Sequence, residues 1–471
     1  MVALPSPAPS LGDGTHLTPL HFPASFQWGV ATSAYQIEGG VDLDGRGPSI
    51  WDTFSATPGR VRNDDTGRVA SDHRRRMADD VALLADLGIP SYRFSIAWPR
   101  VQPTGQGPAN HSGLDVYRYL VDDLLDHGIE PVVTLYHWDL PQALEDRGGW
   151  PCRETAARFG EYARIVGDAL GDRVRQWTTV NEPWCVAMLG YCSGKLAPGR
   201  TDPGASVAAA HHVLLGHGLA VDALRAGVRA AQAEIAITLN PYPVVVAGDH
   251  DEDRDAARRV DGVANRLWYD AVLRGRYPDD VLDDFRAVSD LAHIKPDDLE
   301  QIARPIDALG VNYYRRHHAR HAPGESASAL AAMWPGSPDV ELVTPPGPVT
   351  DLGWAIEPDG LCEALVAVTA DYDPPPLYVH EAGGAFDAEV DDHDRIAYLD
   401  GQLRAAHMAL AAGVDLRGFF AWTLLDNFEW AEGYAARFGI VHVDFDTLER
   451  TPKASARWYA KVARTGSLPG A

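Results

Sequence analysis

The sequence predicts an α/β fold, a single (β/α)₈ TIM barrel with enlarged βα loops. Three observations predict it. Short runs rich in β-branched and aromatic residues alternate along the chain with amphipathic helical runs, and the alternation recurs until eight strands are counted. Two of those strands, Val174-Arg-Gln-Trp-Thr-Thr-Val-Asn-Glu-Pro and Leu377-Tyr-Val-His-Glu-Ala-Gly, end in a carboxylate, Glu182 and Glu381, at the lip where barrels of this class carry their reactive groups. No Gly-x-Gly-x-x-Gly follows the first strand, which counts against the competing doubly wound sheet.

The first strand, Phe26-Gln-Trp-Gly-Val-Ala, runs into a loop, and the Gly/Pro/Asp-rich stretch from Gly45 to Arg68 reads as a long connection. Ala78, Val81, Leu84 and Ala85 fall at helical spacing and Gly88 stops that helix; Tyr92-Arg-Phe-Ser-Ile-Ala-Trp is strand two. Tyr117, Leu120, Val121, Leu124 and Leu125 form the next apolar stripe, closed by Gly128, before strand three, Pro131-Val-Val-Thr-Leu-Tyr-His-Trp. Phe159, Tyr162, Ala163, Val166 and Leu170 repeat the pattern ahead of strand four, where Pro183 pushes Glu182 out of helical geometry. A helix over 212–226 leads to strand five, Glu234-Ile-Ala-Ile-Thr-Leu-Asn. A helix-rich stretch over 254–301, interrupted at Gly275–Pro278, leads to strand six, Ala308-Leu-Gly-Val-Asn-Tyr-Tyr. From Ala322 to Gly353 the chain is Pro/Gly/Ser-rich with no period and reads as a functional loop. A helix over 358–370 precedes strand seven. Ile396, Leu399, Leu403, Ala406 and Leu410 make the next helix, and strand eight is Leu416-Arg-Gly-Phe-Phe-Ala-Trp-Thr-Leu-Leu-Asp.

Residues 1–20 have neither a basic start nor an apolar run and are expected to be a disordered tail, with the barrel domain over 21–471. No stretch approaches the roughly 20 apolar residues of a membrane helix, so a cytoplasmic protein is expected. A formal charge of −25 argues against nucleic acid or an anionic membrane as partner. The 45% hydrophobic content supplies a large core, and thirteen tryptophans suit a site that stacks on sugars or aromatic groups. The four cysteines, Cys152, Cys185, Cys192 and Cys362, lack metal or disulfide spacing and read as small buried hydrophobes.

Two carboxylates across a barrel mouth suit hydrolysis of an acetal: one protonates the leaving oxygen while the other attacks the anomeric carbon. The acid needs burial and a neighbouring carboxylate to stay protonated. The nucleophile needs a cation and hydrogen-bond donors, which Arg93 on strand two and the Tyr314 hydroxyl on strand six can supply.

The blocks Ser33-Ala-Tyr-Gln-Ile-Glu-Gly, Tyr136-His-Trp-Asp-Leu-Pro, Thr179-Val-Asn-Glu-Pro, Val311-Asn-Tyr-Tyr and Asp426-Asn-Phe-Glu-Trp-Ala-Glu-Gly-Tyr stand in that order. Through them the chain resembles glycoside hydrolase family 1, the β-glucosidase family, from about Phe22 to Ala463. The resemblance implies Glu182 as general acid/base with Asn181 on the sugar's 2-hydroxyl, and Glu381 as nucleophile. It implies Gln36, His137, Trp138, Glu429 and Trp430 on the hydroxyls of the non-reducing sugar, with Trp422 as stacking platform. Trp184 and Trp354 would flank the aglycone, with Asn312 as a supporting partner behind the site. Glu38 and Asp139 in the same blocks are expected to be structural. It implies an unphosphorylated β-glucoside as small-molecule substrate, extending to galactosides or fucosides, with no metal or organic cofactor; oligomeric state is left open. One block departs from the family. Its usual Thr-Glu-Asn-Gly reads His380-Glu381-Ala382-Gly383 here. Strand alternation places the neighbours of Glu381 on the opposite face, so the change is expected to act on how the strand end is held. A transglycosylase and a sugar-binding protein without catalysis remain the alternatives.

Overall fold

The computed structural model describes residues 19–324, 333–337, 339–387 and 390–470. Eight parallel strands close into a barrel: β1 (Gln27–Ala31), β2 (Ser91–Ser95), β3 (Glu130–Tyr136), β4 (Gln176–Asn181), β5 (Glu234–Leu239), β6 (Ala308–Asn312), β7 (Leu377–Ala382) and β8 (Leu416–Trp422). Each pairs with its neighbours in sequence, and β8 closes on β1 from Gly418↔Gln27 to Trp422↔Ala31. Both faces of the strands are buried, as parallel sheets require. Val133, Leu135, Val180, Ile237, Leu309, Val311, Val379 and Phe419 belong to the core between barrel and helices. Ala31, Val132, Ala236, Ala308, Tyr378 and Phe420 form a second cluster inside the barrel, small residues against two large rings. Beneath it a polar floor is fully paired. Gln27 donates to Ser91 at 3.0 Å and to Gln176 at 2.7 Å, while Gln176 and Tyr378 both donate to Glu234.

The helical jacket follows the apolar stripes: His73–Leu87, His111–Asp126, Arg153–Leu170, Pro203–Gly227, Asp359–Tyr372 and His393–Ala411. The stretch after β5 holds four α-helices, the first two joined by a wider turn at Gly262–Arg266, and Gly275, in left-handed backbone at φ 62°, caps Leu267–Arg274 where the interruption was expected. A helix absent from the sequence reading, Ala454–Thr465, completes the jacket. Its Tyr459 hydroxyl reaches the carbonyls of Gly29 and Phe419 at 2.8 and 3.0 Å, tying β1 to β8.

Three expectations change. The tail lies outside the described residues up to residue 18, but Leu20 belongs to a strand, Leu20–His21, paired antiparallel with Ser467–Leu468. The loop expected over 322–353 lies partly outside the described residues, and part of the rest is ordered: Val340–Val343 pairs antiparallel with His317–His321, which pairs in parallel with Val244–Val246. His317 and Ala319 are buried while their neighbours face outward, so the strand alternates, but histidine and arginine hide the period in sequence. Lastly, the helix Pro203–Gly227 is long and apolar enough to cross a membrane by length and composition; 78% of that window is buried inside the protein. It is a core helix, lying against Arg153–Leu170.

Gly218 lets the short helix Asp298–Ile302 approach that long one. A Cβ there would stand 1.8 Å from the Gln301 carbonyl oxygen, a backbone atom that cannot swing aside. Gly218→Ala is expected to lower stability by about 1–3 kcal/mol, read as a lower urea midpoint; an unchanged midpoint would mean that the two helices separate freely.

Candidate active site

Both carboxylates stand where their strands lose regular alternation. In β4 the pairing with β5 steps from Thr178↔Ala236 to Asn181↔Thr238, three residues against two. Glu182 follows in left-handed backbone (φ 49°), its N–H still donating to the Thr238 carbonyl at 2.9 Å. Asn181 and Glu182 therefore both reach the barrel mouth. In β7 the pairing with β6 steps from Val379↔Val311 to Glu381↔Asn312, two residues against one. Such bulges re-aim side chains at barrel rims.

The expectation that the neighbours of Glu381 face away is corrected for His380. Because of the bulge, His380 lies inside the barrel. Its Nδ1 is 2.7 Å from Thr238 Oγ1, and its ring is set edge-on to Phe420. Gly310 makes the room, since a Cβ there would fall 2.2 Å from His380 Nδ1. Ala382 joins the outer core, as alternation requires.

Arg93, fully buried on β2, ties the two strand ends together. One guanidinium nitrogen donates to Glu381 Oε1 at 2.6 Å and the other to Asn181 Oδ1 at 2.7 Å. The Tyr314 hydroxyl donates to Glu381 Oε2 at 2.7 Å. Asn312 Nδ2 donates to Glu182 Oε1 at 2.7 Å and to Asn181 Oδ1 at 3.1 Å. With its oxygen committed, the Asn181 amide nitrogen donates to His137 Nε2 at 3.2 Å. Trp138 Nε1 donates to the Asn181 carbonyl at 2.9 Å.

These surroundings separate the two carboxyls. Burial first, then the charge of Glu381, pushes Glu182 up to about 8. Burial also raises Glu381, but the Arg93 guanidinium and the Tyr314 hydroxyl oppose it directly. Tyr314 itself is pushed far above the usual phenol range by burial, then by Glu381, so its hydroxyl keeps the proton it donates. Of the pair, Glu381 ionises first and Glu182 holds its proton.

One cavity of about 1030 Å³, mouth included, opens above this pair. Glu429, His137, Trp138, Trp422 and Trp430 line one part of its wall and Trp184 and Trp354 another. Gln36 stands behind Glu429 and donates to it at 3.0 Å, its own oxygen accepting from Ser33 at 2.7 Å. Burial, then Glu381, pushes Glu429 up to about 8. The Trp430 ring lies 4.7 Å from Trp138, and that of Trp422 is 5.7 Å from His137 and tilted by 21°. Trp184 meets Tyr242 edge-on at 5.4 Å, and Trp354 meets Tyr314 likewise at 5.7 Å. Trp138 and Trp430, like Glu182, sit at positive φ (78° and 52°). Glu38 takes Arg100 at 2.9 Å and Tyr117 at 2.7 Å, a structural cluster behind the site.

The sequence reading missed three groups here. Cys185, read as a buried hydrophobe, is buried, but its thiol donates to Glu182 Oε2 at 3.1 Å. Its place three residues after a carboxylate, on the first turn beyond a strand, was the only signal. Tyr242 and Arg315 also line the cavity. Each lies in a βα loop with no recognisable block, although Arg315 directly follows Tyr314.

Arg93→Met would leave Glu381 buried without its cation. A loss of about 3–5 kcal/mol in unfolding free energy is expected at pH 7, shrinking toward pH 5 as Glu381 takes up a proton. Urea unfolding at the two pH values reads it; equal losses at both would mean that the guanidinium acts by packing alone.

Comparison with known proteins meets the same architecture. The model of Glycosyl hydrolase family 1 matches residues 18–467. The thermostable β-glucosidase B of Thermobispora bispora is 50% identical over 455 residues, covering 95% of this chain and 92% of that protein. The bifunctional β-D-glucosidase/β-D-fucosidase of Bifidobacterium breve is 46% identical over 456 residues, covering 93% and 97%. The solved family 1 β-glucosidase of Thermotoga maritima in complex with isofagomine lactam superposes with a TM-score of 0.90 at 42% identity, covering 96% of this chain and 100% of that one. With the family's model running along almost all of a chain that closes into its barrel, the protein belongs to glycosyl hydrolase family 1.

Proposed function

We propose that the chain is a retaining β-glucosidase, releasing terminal non-reducing β-D-glucosyl residues from small-molecule β-glucosides. One observation carries the reading: two buried carboxyls at the ends of β4 and β7 have opposite surroundings, Glu381 held by Arg93 and Tyr314, Glu182 by an amide and a thiol. Glu381 attacks the anomeric carbon as Glu182 delivers its proton to the glycosidic oxygen, and the aglycone leaves. Glu182, now ionised, takes a proton from water, whose oxygen displaces Glu381 and releases glucose with its β configuration. Arg93 and Tyr314 aim and neutralise the nucleophile. Asn181, held by Arg93 and Asn312, takes the 2-hydroxyl. Gln36, His137, Trp138, Glu429 and Trp430 take the remaining hydroxyls over the Trp422 platform, leaving Trp184 and Trp354 for the aglycone.

The Bifidobacterium relative's name supports fucosides as further substrates. An acceptor sugar or alcohol in place of water would give transglycosylation by the same steps. Four unpaired cysteines support action in the reducing cytoplasm.

The wild type should release p-nitrophenol from its β-glucoside, and Glu381→Gln should lose about 10⁴-fold or more. Glu182→Gln should lose less on this good leaving group and recover with azide. An activated 2-fluoro-glucoside should label Glu381 covalently. A wild type that binds glucose without labelling would be a sugar-binding protein, and the reading would fail.

The pH profile follows from the two directions. Glu182 is useful while protonated, so kcat/KM on an unactivated glucoside should fall as pH rises through about 8. Glu381 must be ionised, so activity should climb as pH rises through its own raised value. In Glu182→Gln, assayed with a dinitrophenyl glucoside, the alkaline fall should vanish. Its persistence would move that limb to another group, Glu429 first.

A further inference from the structure

One stretch of the cavity wall carries positive charge that no carboxylate among the described residues pairs with. Arg315 directly follows Tyr314, and it lines the cavity with Trp184, Tyr242 and Trp354. Its guanidinium carbon lies 5.0 Å from the Trp354 ring centroid, a cation–π contact that needs none of its N–H groups. Among the described residues no carboxylate pairs with Arg315 and no hydrogen bond uses its nitrogens, which stay accessible from the cavity. Arg316, next in sequence, shows the ordinary fate of arginine in this chain: it is 3.3 Å from Glu357 and 2.9 Å from Glu363. Burial lowers the pKa of Arg315, and no carboxylate counters the effect. Lys195, from the loop after Cys185–Cys192, lines the same cavity and likewise has no ion pair among the described residues.

A largely buried guanidinium without a carboxylate partner among the described residues, with the exposed Lys195 at the same wall, gives this part of the cavity a positive face in a chain of net charge −25. The carboxyls do not supply the counter-charge: Glu381 is committed to Arg93, while burial favours the neutral forms of Glu182 and Glu429. Glu432 also lines the cavity, beside Trp430, but forms no ion pair with Arg315 or Lys195. A planar guanidinium with free N–H groups matches a carboxylate, and the rings of Trp184, Tyr242 and Trp354 match an aromatic ring. Resting on the β-glucosidase reading, we propose that the aglycone pocket selects aryl β-glucosides that carry a carboxylate, with Arg315 as the residue that determines this specificity and Lys195 as a second cation at the same wall.

The test uses two non-hydrolysable ligands, 4-carboxyphenyl 1-thio-β-glucoside and its neutral 4-carboxamidophenyl analogue, so that binding is read without turnover. Calorimetry on the wild type should give a Kd about tenfold lower for the carboxylate, and 1 M NaCl should shrink that ratio by screening. In Arg315→Met the ratio should fall to about twofold or less. Lys195→Met, a change at an exposed side chain, should reduce it in part. Equal affinities in the wild type, or a ratio that survives Arg315→Met, would overturn the proposal and leave Arg315 as a brace on Trp354. Hydrolysis of p-nitrophenyl β-glucoside is measured beside it. Turnover without anion preference sinks this inference alone, whereas anion preference without turnover sinks the glucosidase reading and leaves the anion site standing.

Discussion

The site depends on one buried cation. Two buried carboxyls that share a cavity cannot both ionise cheaply, and chemistry that needs one charged and one neutral requires something to break the tie. Arg93 breaks it. It sits on β2, between the two strand ends in the closed barrel, with no exposure to solvent. Its fork spends one N–H on the Glu381 carboxylate and another on the amide that adjoins Glu182. A lysine would offer a point charge in place of that fork and could not span both strands with fixed geometry. The arrangement holds because the charge is matched at contact distance; a buried guanidinium without Glu381 would cost the fold more than the pair returns.

The second constraint is geometric. A regular strand presents alternate residues to the barrel interior, so a strand end offers one side chain to the mouth. Here β4 and β7 each offer two in succession, Asn181 with Glu182 and His380 with Glu381, because each strand takes an extra residue against its neighbour. Both irregularities meet at Thr238 on β5, which accepts the Glu182 N–H through its carbonyl and contacts His380 through its hydroxyl. The altered residue before the nucleophile is thus part of the layer beneath the site. It packs into space that Gly310 leaves open, and it reaches Glu381 through the strand's bulge and the Arg93 surroundings.

The barrel was legible because its signals are additive: eight strand runs, helical stripes and glycine stops need only agree on a count. The carboxylates were legible because each ends a strand before a breaker. What stayed hidden lacks a local signal. His317–His321 alternates correctly, but its buried members are a histidine and an alanine, and β propensity does not flag them. The helix Ala454–Thr465 follows the last expected strand, where the alternation had already been completed. Trp138, Glu182 and Trp430 at positive φ look like ordinary residues in sequence, since the left-handed region is normally signalled by glycine or asparagine. Bulges are invisible by construction to a reading with period two, which is why His380 was put on the wrong face.

The hidden features share a cause. Each left-handed non-glycine residue costs about 1–3 kcal/mol, and three of them line this one cavity. Local sequence preference opposes them, so the surroundings must impose them: the Glu182 N–H is pinned to β5, the Trp138 indole to the Asn181 carbonyl, and Trp430 is packed against Trp138 and Trp51. The paired floor of the barrel and the helical jacket are what can bear that strain, because their backbone and side-chain polar groups are already held in regular hydrogen-bonded structure. Regular structure, legible from short-range pattern, is therefore concentrated where the chain is supported, and irregular structure where the chemistry is. A sequence reading loses resolution toward the active site for that physical reason, and recovers it only where long blocks of residues record the tertiary solution directly.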